Sequence, residues 1–94
     1  MKLKADLHLH TSEGPERFVR LDARTLIDRA AQEGYRVLAI TNHNTLTYSE
    51  ALKEYAWERG ILLIPGVEAT VEGKHVLLYN FDYSPDRIRT FEDI

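Results

Sequence analysis

Ninety-four residues, no cysteine and a formal net charge of −3 narrow the possibilities before any motif is read. The length is enough for one domain with a real core, and the absence of cysteine excludes disulfides, thiolate metal ligands and a thiol nucleophile. Mixed, slightly acidic charge does not suggest a general nucleic-acid or membrane-surface binder; no apolar run reaches the ~18 residues of a membrane span, and Met1-Lys2-Leu3-Lys4 is not followed by a signal-type apolar core, so a soluble cytoplasmic protein is expected.

In chain order, Lys2 to His10 alternates apolar and polar residues as a half-buried strand does, then breaks at Thr11-Ser12-Glu13-Gly14-Pro15. Asp22 suits the N-cap of a helix that ends before Gly34, with Leu26, Ile27, Ala30 and Ala31 as its buried stripe. Arg36 to Thr41 is a short apolar strand of the kind a parallel sheet buries on both faces. A second helix is expected from about Thr45 to Arg59, with Leu52, Tyr55 and Ala56 inward and Gly60 as its stop. Ile61 to Ile64 reads as a third strand, followed by Pro65-Gly66-Val67-Glu68. Ala69-Thr70-Val71 and His75 to Tyr79 read as a ribbon around the turn Glu72-Gly73-Lys74. Ser84-Pro85 suits an N-cap and first helical residue of a last helix. The order β-α-β-α-β-β implies an α/β fold with parallel strands joined by crossover helices.

The densest chemistry lies in Asp6-Leu7-His8-Leu9-His10-Thr11. Side chains alternate across a strand, so His8 and His10 share a face, with Asp6 expected on it and Leu7 and Leu9 opposite. Two imidazoles converging from one strand are a start for a zinc, manganese or iron site; the plain alternative is a strand with two solvent-facing histidines. In parallel α/β folds chemistry collects at the carboxyl ends of the strands. His8 and His10 end the first strand, Asn42-His43-Asn44 the second and Glu68 the third, so three strands deliver metal-capable groups to one rim.

Asp-Leu-His-Leu-His-Thr, Ile-Thr-Asn-His-Asn-Thr, Ile-Pro-Gly-Val-Glu-Ala and His-Val-Leu-Leu-Tyr, in that order and spacing, resemble the first four motifs of the PHP (polymerase and histidinol phosphatase) family. The resemblance covers essentially the whole chain. It implies a distorted (β/α)₇ barrel of which residues 1–94 form the N-terminal portion, a single, incomplete PHP-like domain. It also implies two or three divalent metal ions (zinc, manganese or iron) and hydrolysis of phosphate esters by a metal-activated water, with no protein nucleophile. By position, His8 and His10 would bind the first metal, Glu68 would bridge first and second, His75 would serve the second and His43 the third. Asp6 is expected to accept a hydrogen bond from a ligand imidazole, or to be a plain strand-edge carboxylate. Glu13 stands where many family members carry an Asp or His ligand, in a shorter loop; an ordinary surface glutamate is the alternative. Arg17, Arg20 or Lys74 would steady a phosphate, if they are not simply solvated charges.

Two departures qualify that implication. Asn42 stands where the family's second motif usually has Asp; its amide can orient His43 but cannot raise imidazole basicity as a carboxylate does. No second His-x-His or Asp-x-His element follows Tyr79, so the later ligands and strands of a typical PHP domain are missing. A complementing C-terminal half or a homodimer would supply them. The first expectation is therefore a phosphoesterase acting on a small-molecule phosphate ester. A non-catalytic metal-binding or interaction module is the second, and a DNA-polymerase-associated nuclease domain the third, disfavoured by the lack of basic and aromatic clustering.

Overall fold

A computed structural model describes residues 2–16, 18–80, 90 and 92. The chain runs β1 (Ala5–Leu9), α1 (Ala23–Gln32), β2 (Val37–Ile40), α2 (Glu50–Trp57), β3 (Leu62–Val71) and β4 (Lys74–Tyr79). The strands form one mixed sheet in the order β1-β2-β3-β4. β1, β2 and the first half of β3 are parallel, while the second half of β3 pairs antiparallel with β4. The expected last helix at Ser84-Pro85 lies outside the described residues. Among those residues no helix is long and apolar enough to cross a membrane.

Local chemistry explains the helix ends. The Asp22 carboxylate accepts the Thr25 N–H at 2.8 Å and starts α1. Gly34, at φ +85°, turns the chain out of it. The second helix begins at Glu50 rather than near Thr45, because Ser49 is the residue that caps it, accepting the Leu52 N–H at 3.1 Å. Ala23, Ile27 and Ala30 of α1 and Leu52 and Ala56 of α2 close a buried cluster with Leu38, Ile40, Ile61 and Leu63. The two helices are also clasped directly: Tyr55 Oη and Arg59 Nε both donate to Asp28, at 2.8 and 2.7 Å.

β3 differs most from expectation. Pro65-Gly66 reads as a strand break, yet the strand continues through it to Val71 and changes partner there. Pro65 is the last residue paired with β2, and Gly66 the first paired with β4. A Cβ at Gly66 would lie 2.9 Å from Thr41 Cγ2 and 3.3 Å from Tyr79 Cδ1, so the handover needs a residue without a side chain. Beyond it, alternation resumes: Val67, Ala69 and Val71 pack with Val76 and Leu78 in a second buried cluster. Glu68 and Thr70 face the other way. Glu72 and Gly73, both at positive φ, form the two-residue turn into β4.

Candidate metal centre

The sheet continues past its regular ends and thereby assembles the site. Thr41 donates its N–H to the Leu9 carbonyl at 2.7 Å, so the segments leaving β1 and β2 run side by side. The Glu68 N–H donates to the Asn42 carbonyl at 3.1 Å, and the Asn44 N–H to the Glu68 carbonyl at 2.9 Å, an isolated parallel bridge that sets His43 beside Glu68. Asn44 holds φ +50°, a conformation asparagine tolerates, and its side-chain oxygen accepts the Thr70 N–H at 2.8 Å. On β4, His75 is paired with Thr70 and thus lies on the Glu68 face, one diagonal step away and within reach of a long side chain.

All four histidines of the chain converge on Glu68. His8 Nε2 is 2.6 Å from Glu68 Oε1, and His10 Nε2 is 3.3 Å from the same oxygen and 3.4 Å from His8 Nε2. On the other side, His75 Nδ1 is 2.6 Å and His43 Nδ1 3.3 Å from Oε2. A second carboxylate joins from the loop after β1: Glu16 Oε1 is 2.6 Å from His43 Nε2 and 3.2 Å from His10 Nδ1. Glu68 is buried at 7% exposure, whereas the side chains of His8 and His75 are 52% and 60% exposed, so the centre opens on their side.

Burial of the Glu68 carboxyl works against its charged form. Hydrogen bonds from His75 and His8 and the charge of His43 outweigh burial and bring its pKa down from 4.5 to about 2. Because the folded value lies below the unfolded one, the stability this gives is present above about pH 4.5 and is lost as pH falls toward 2. In metal-free protein, the Glu68 side-chain carboxyl carbon, followed by NMR, is expected to titrate near pH 2; a midpoint at 4 or above would show that the imidazoles do not hold it.

The donor set fits a divalent cation. His8, His10 and Glu68 form one group of three, His10, Glu16 and His43 a second, and His43, Glu68 and His75 a third; within each, ligand atoms lie within 4.8 Å of one another. Two ligands at about 2.1 Å from one tetrahedral ion stand ~3.4 Å apart, close to the spacing of His10 Nε2 from Glu68 Oε1 and from His8 Nε2; the third spacing, His8 Nε2 to Glu68 Oε1 at 2.6 Å, is a hydrogen bond that a cation would have to open. His10 Nδ1 is buried and, despite the nearby Glu16 oxygen, makes no hydrogen bond. Nitrogen and carboxylate donors without sulfur suit zinc, manganese or iron.

The structure brings together His8, His10, His43, Glu68 and His75, and rearranges the tentative residues. Asp6 does not share the histidine face. β1 is irregular between Asp6 and Leu9, where two residues of β1, Leu7 and His8, stand against one of β2, Ala39, so Asp6 falls in with Leu9 along a hollow against α1. Its carboxylate accepts the His8 backbone N–H at 3.1 Å rather than an imidazole. Glu13 turns away from the centre and accepts the Ala23 N–H at 3.1 Å, adding to the Asp22 cap at the start of α1. Asn42 does not orient the His43 ring: its side chain is spent on Thr11 and Thr47. Glu16, unmarked in the sequence, occupies the position expected of Glu13. Its only signal was a carboxylate in the loop after the His-x-His strand, shared with Glu13. Arg20 and Lys74 are exposed, and Arg17 lies outside the described residues.

No family model matches the chain. An uncharacterized protein of Methanocaldococcus jannaschii is 34% identical over 86 residues, covering 82% of this chain and 50% of its own length. A 5′-3′ exoribonuclease of Haemophilus influenzae is 36% identical over 88 residues, covering 87% of this chain and 30% of its own length. The chain thus spans about half the length of one relative and under a third of the other.

Proposed function

We propose that this chain carries the metal-binding half of a hydrolase that cleaves phosphate esters, built as the N-terminal part of a PHP-type (β/α)₇ barrel. The observation that carries this reading is the convergence of four imidazoles from neighbouring strands on one buried carboxylate. The motif resemblance supports it, as does similarity to a protein named a 5′-3′ exoribonuclease.

Donor accounting assigns the roles. A neutral imidazole offers one lone pair and serves one cation, whereas a carboxylate can span two. His8, His10 and Glu68 Oε1 make a complete three-donor set, enough for a cation with an open position. His75 goes with Glu68 Oε2. His43 lies nearer Glu16, at 2.6 Å, than Glu68, at 3.3 Å, and pairs with it. The last two pairs are short of donors. Further ligands would come from chain of the kind the longer relatives possess, or from a second copy. Divalent cations at such a centre polarise phosphoryl oxygens and lower the pKa of a coordinated water to about 7. The chain's own part is to keep Glu68 ionised; the ring nitrogens of His8 and His75, which donate to it in the metal-free protein, would give up those protons to bind a cation.

The test is elemental analysis of purified protein, followed by hydrolysis of p-nitrophenyl phosphate and its bis ester with added manganese. Turnover that requires manganese and stops with chelator is the expected result. Bound metal without turnover would favour a non-catalytic metal-binding module, and neither metal nor turnover would remove the assignment.

A further inference from the structure

Tyr79 ends β4 at one edge of the described sheet, and β1 forms the opposite edge. Adjacent strands lie about 4.8 Å apart, so a flat sheet would hold β1 and β4 roughly 14 Å apart, beyond the reach of a tyrosine. Yet Tyr79 Oη donates to the Leu7 carbonyl at 2.6 Å. The sheet therefore curls until its two edges approach across one face. Gly66, which pairs with Tyr79, makes room for the ring: a Cβ there would lie 3.3 Å from Tyr79 Cδ1. Burial, and after it the Asp6 carboxylate, push the Tyr79 hydroxyl above its ordinary pKa of 10.0, so it keeps the proton it donates.

The contact falls where β1 is irregular. Leu7 and His8 are the two residues that together stand against Ala39, and ladder pairing is disrupted at such a point. A carbonyl and the N–H that follows it are opposite ends of one rigid peptide plane. Tyr79 holds the carbonyl end of the Leu7–His8 plane. Asp6 Oδ1 holds the other end, accepting the His8 N–H at 3.1 Å. Side chains thus clamp this plane from both sides, one of them sent from 72 residues away. The plane sets φ at His8, and with it the direction of the imidazole, whose Nε2 lies 2.6 Å from Glu68 Oε1. The His8 side chain is half exposed, so packing does little to aim it. We infer that Tyr79 is a positioning residue of the metal centre. Its hydrogen bond to the Leu7 carbonyl aims His8 at Glu68 and at a cation held by His8, His10 and Glu68. This assignment rests on the metal-centre reading and adds to it a residue from the far edge of the sheet.

The test compares native protein with Tyr79→Phe, which keeps the ring against Gly66 and removes only the hydroxyl. Asp6→Asn, which keeps an acceptor for the His8 N–H, is the conservative control. In metal-free protein, NMR of isotope-labelled histidine reads the ring nitrogens of His8 and His43 separately. With Co²⁺ added, the visible spectrum reads affinity and coordination geometry. Tyr79→Phe is expected to move the His8 signals more than those of His43, to weaken Co²⁺ binding about ten-fold and to alter the visible band, with the fold retained in a thermal melt. Asp6→Asn is expected to stay near native in all three. Unchanged His8 signals in Tyr79→Phe would overturn the inference. So would equal shifts at His8 and His43, which mark a general loosening rather than the aim of one ligand. If native protein binds no Co²⁺, the metal-centre reading fails by itself, and the His8 signals of metal-free protein still decide what Tyr79 does.

Discussion

Glu68→Gln is expected to cost at least about 100-fold in manganese or zinc affinity and to reduce hydrolysis to background, with the fold retained. Glutamine keeps the volume and one acceptor oxygen but loses the charge and the second oxygen. That second oxygen matters because the carboxylate faces His8 and His10 through Oε1 and His43 and His75 through Oε2. Loss of an outer-shell partner of a metal ligand already costs 10–100-fold; loss of a ligand shared by two donor sets exceeds that. The fold survives because the amide can donate to one ring nitrogen and accept from another, so the buried position is not left unsatisfied. Metal per chain from elemental analysis, paired with a thermal melt, reads both halves of the result. Metal content equal to native in a folded variant would remove Glu68 from the centre.

Asn42→Ala is expected to damage the fold more than any of the histidine replacements, by about 2–4 kcal/mol, or a fall in Tm of roughly 10–25 °C. The residue is 1% exposed. Its Oδ1 accepts the Thr11 N–H at 2.8 Å, and its Nδ2 donates to Thr11 Oγ1 at 2.9 Å and Thr47 Oγ1 at 2.7 Å. One side chain therefore pins the loop after β1, the segment after β2 and the approach to α2. Alanine would leave the Thr11 N–H buried without its acceptor and open a void beside Gly14. Asn42→Asp is expected to be far milder. Both threonine hydroxyls can rotate to donate where they now accept, and the Thr11 N–H keeps its acceptor. Asp and Asn are thus expected to be interchangeable at this position without contact to the His43 ring. A melt of the two variants checks the ordering, and equal destabilisation by Ala and Asp would show that geometry, not hydrogen bonding, is what Asn42 provides.

What was legible in the sequence was local. The cap at Asp22, the Gly34 stop, the apolar run of β2 and the Glu72-Gly73 turn each follow from the conformational preferences of a few adjacent residues. The five metal-capable residues were legible too, because His8, His10, His43, Glu68 and His75 lie on or directly beyond strands whose order places them on one rim. Tertiary structure decided the rest, through contacts between residues far apart in sequence. A one-residue irregularity in β1 moved Asp6 off the histidine face, which no alternation count foresees, because it appears only when β1 is paired with β2. Pro65-Gly66 carries the local marks of a break, yet hydrogen bonding to β2 on one side and β4 on the other keeps β3 continuous. Glu13 and Glu16 are equivalent as loop carboxylates. Closure of the loop by Ser12 and Leu21 points one at the N–H of Ala23 and the other at His43. Local preference is set by neighbours along the chain, whereas a side chain's partner is set by packing between segments, and the second carboxylate of the centre belongs to the latter.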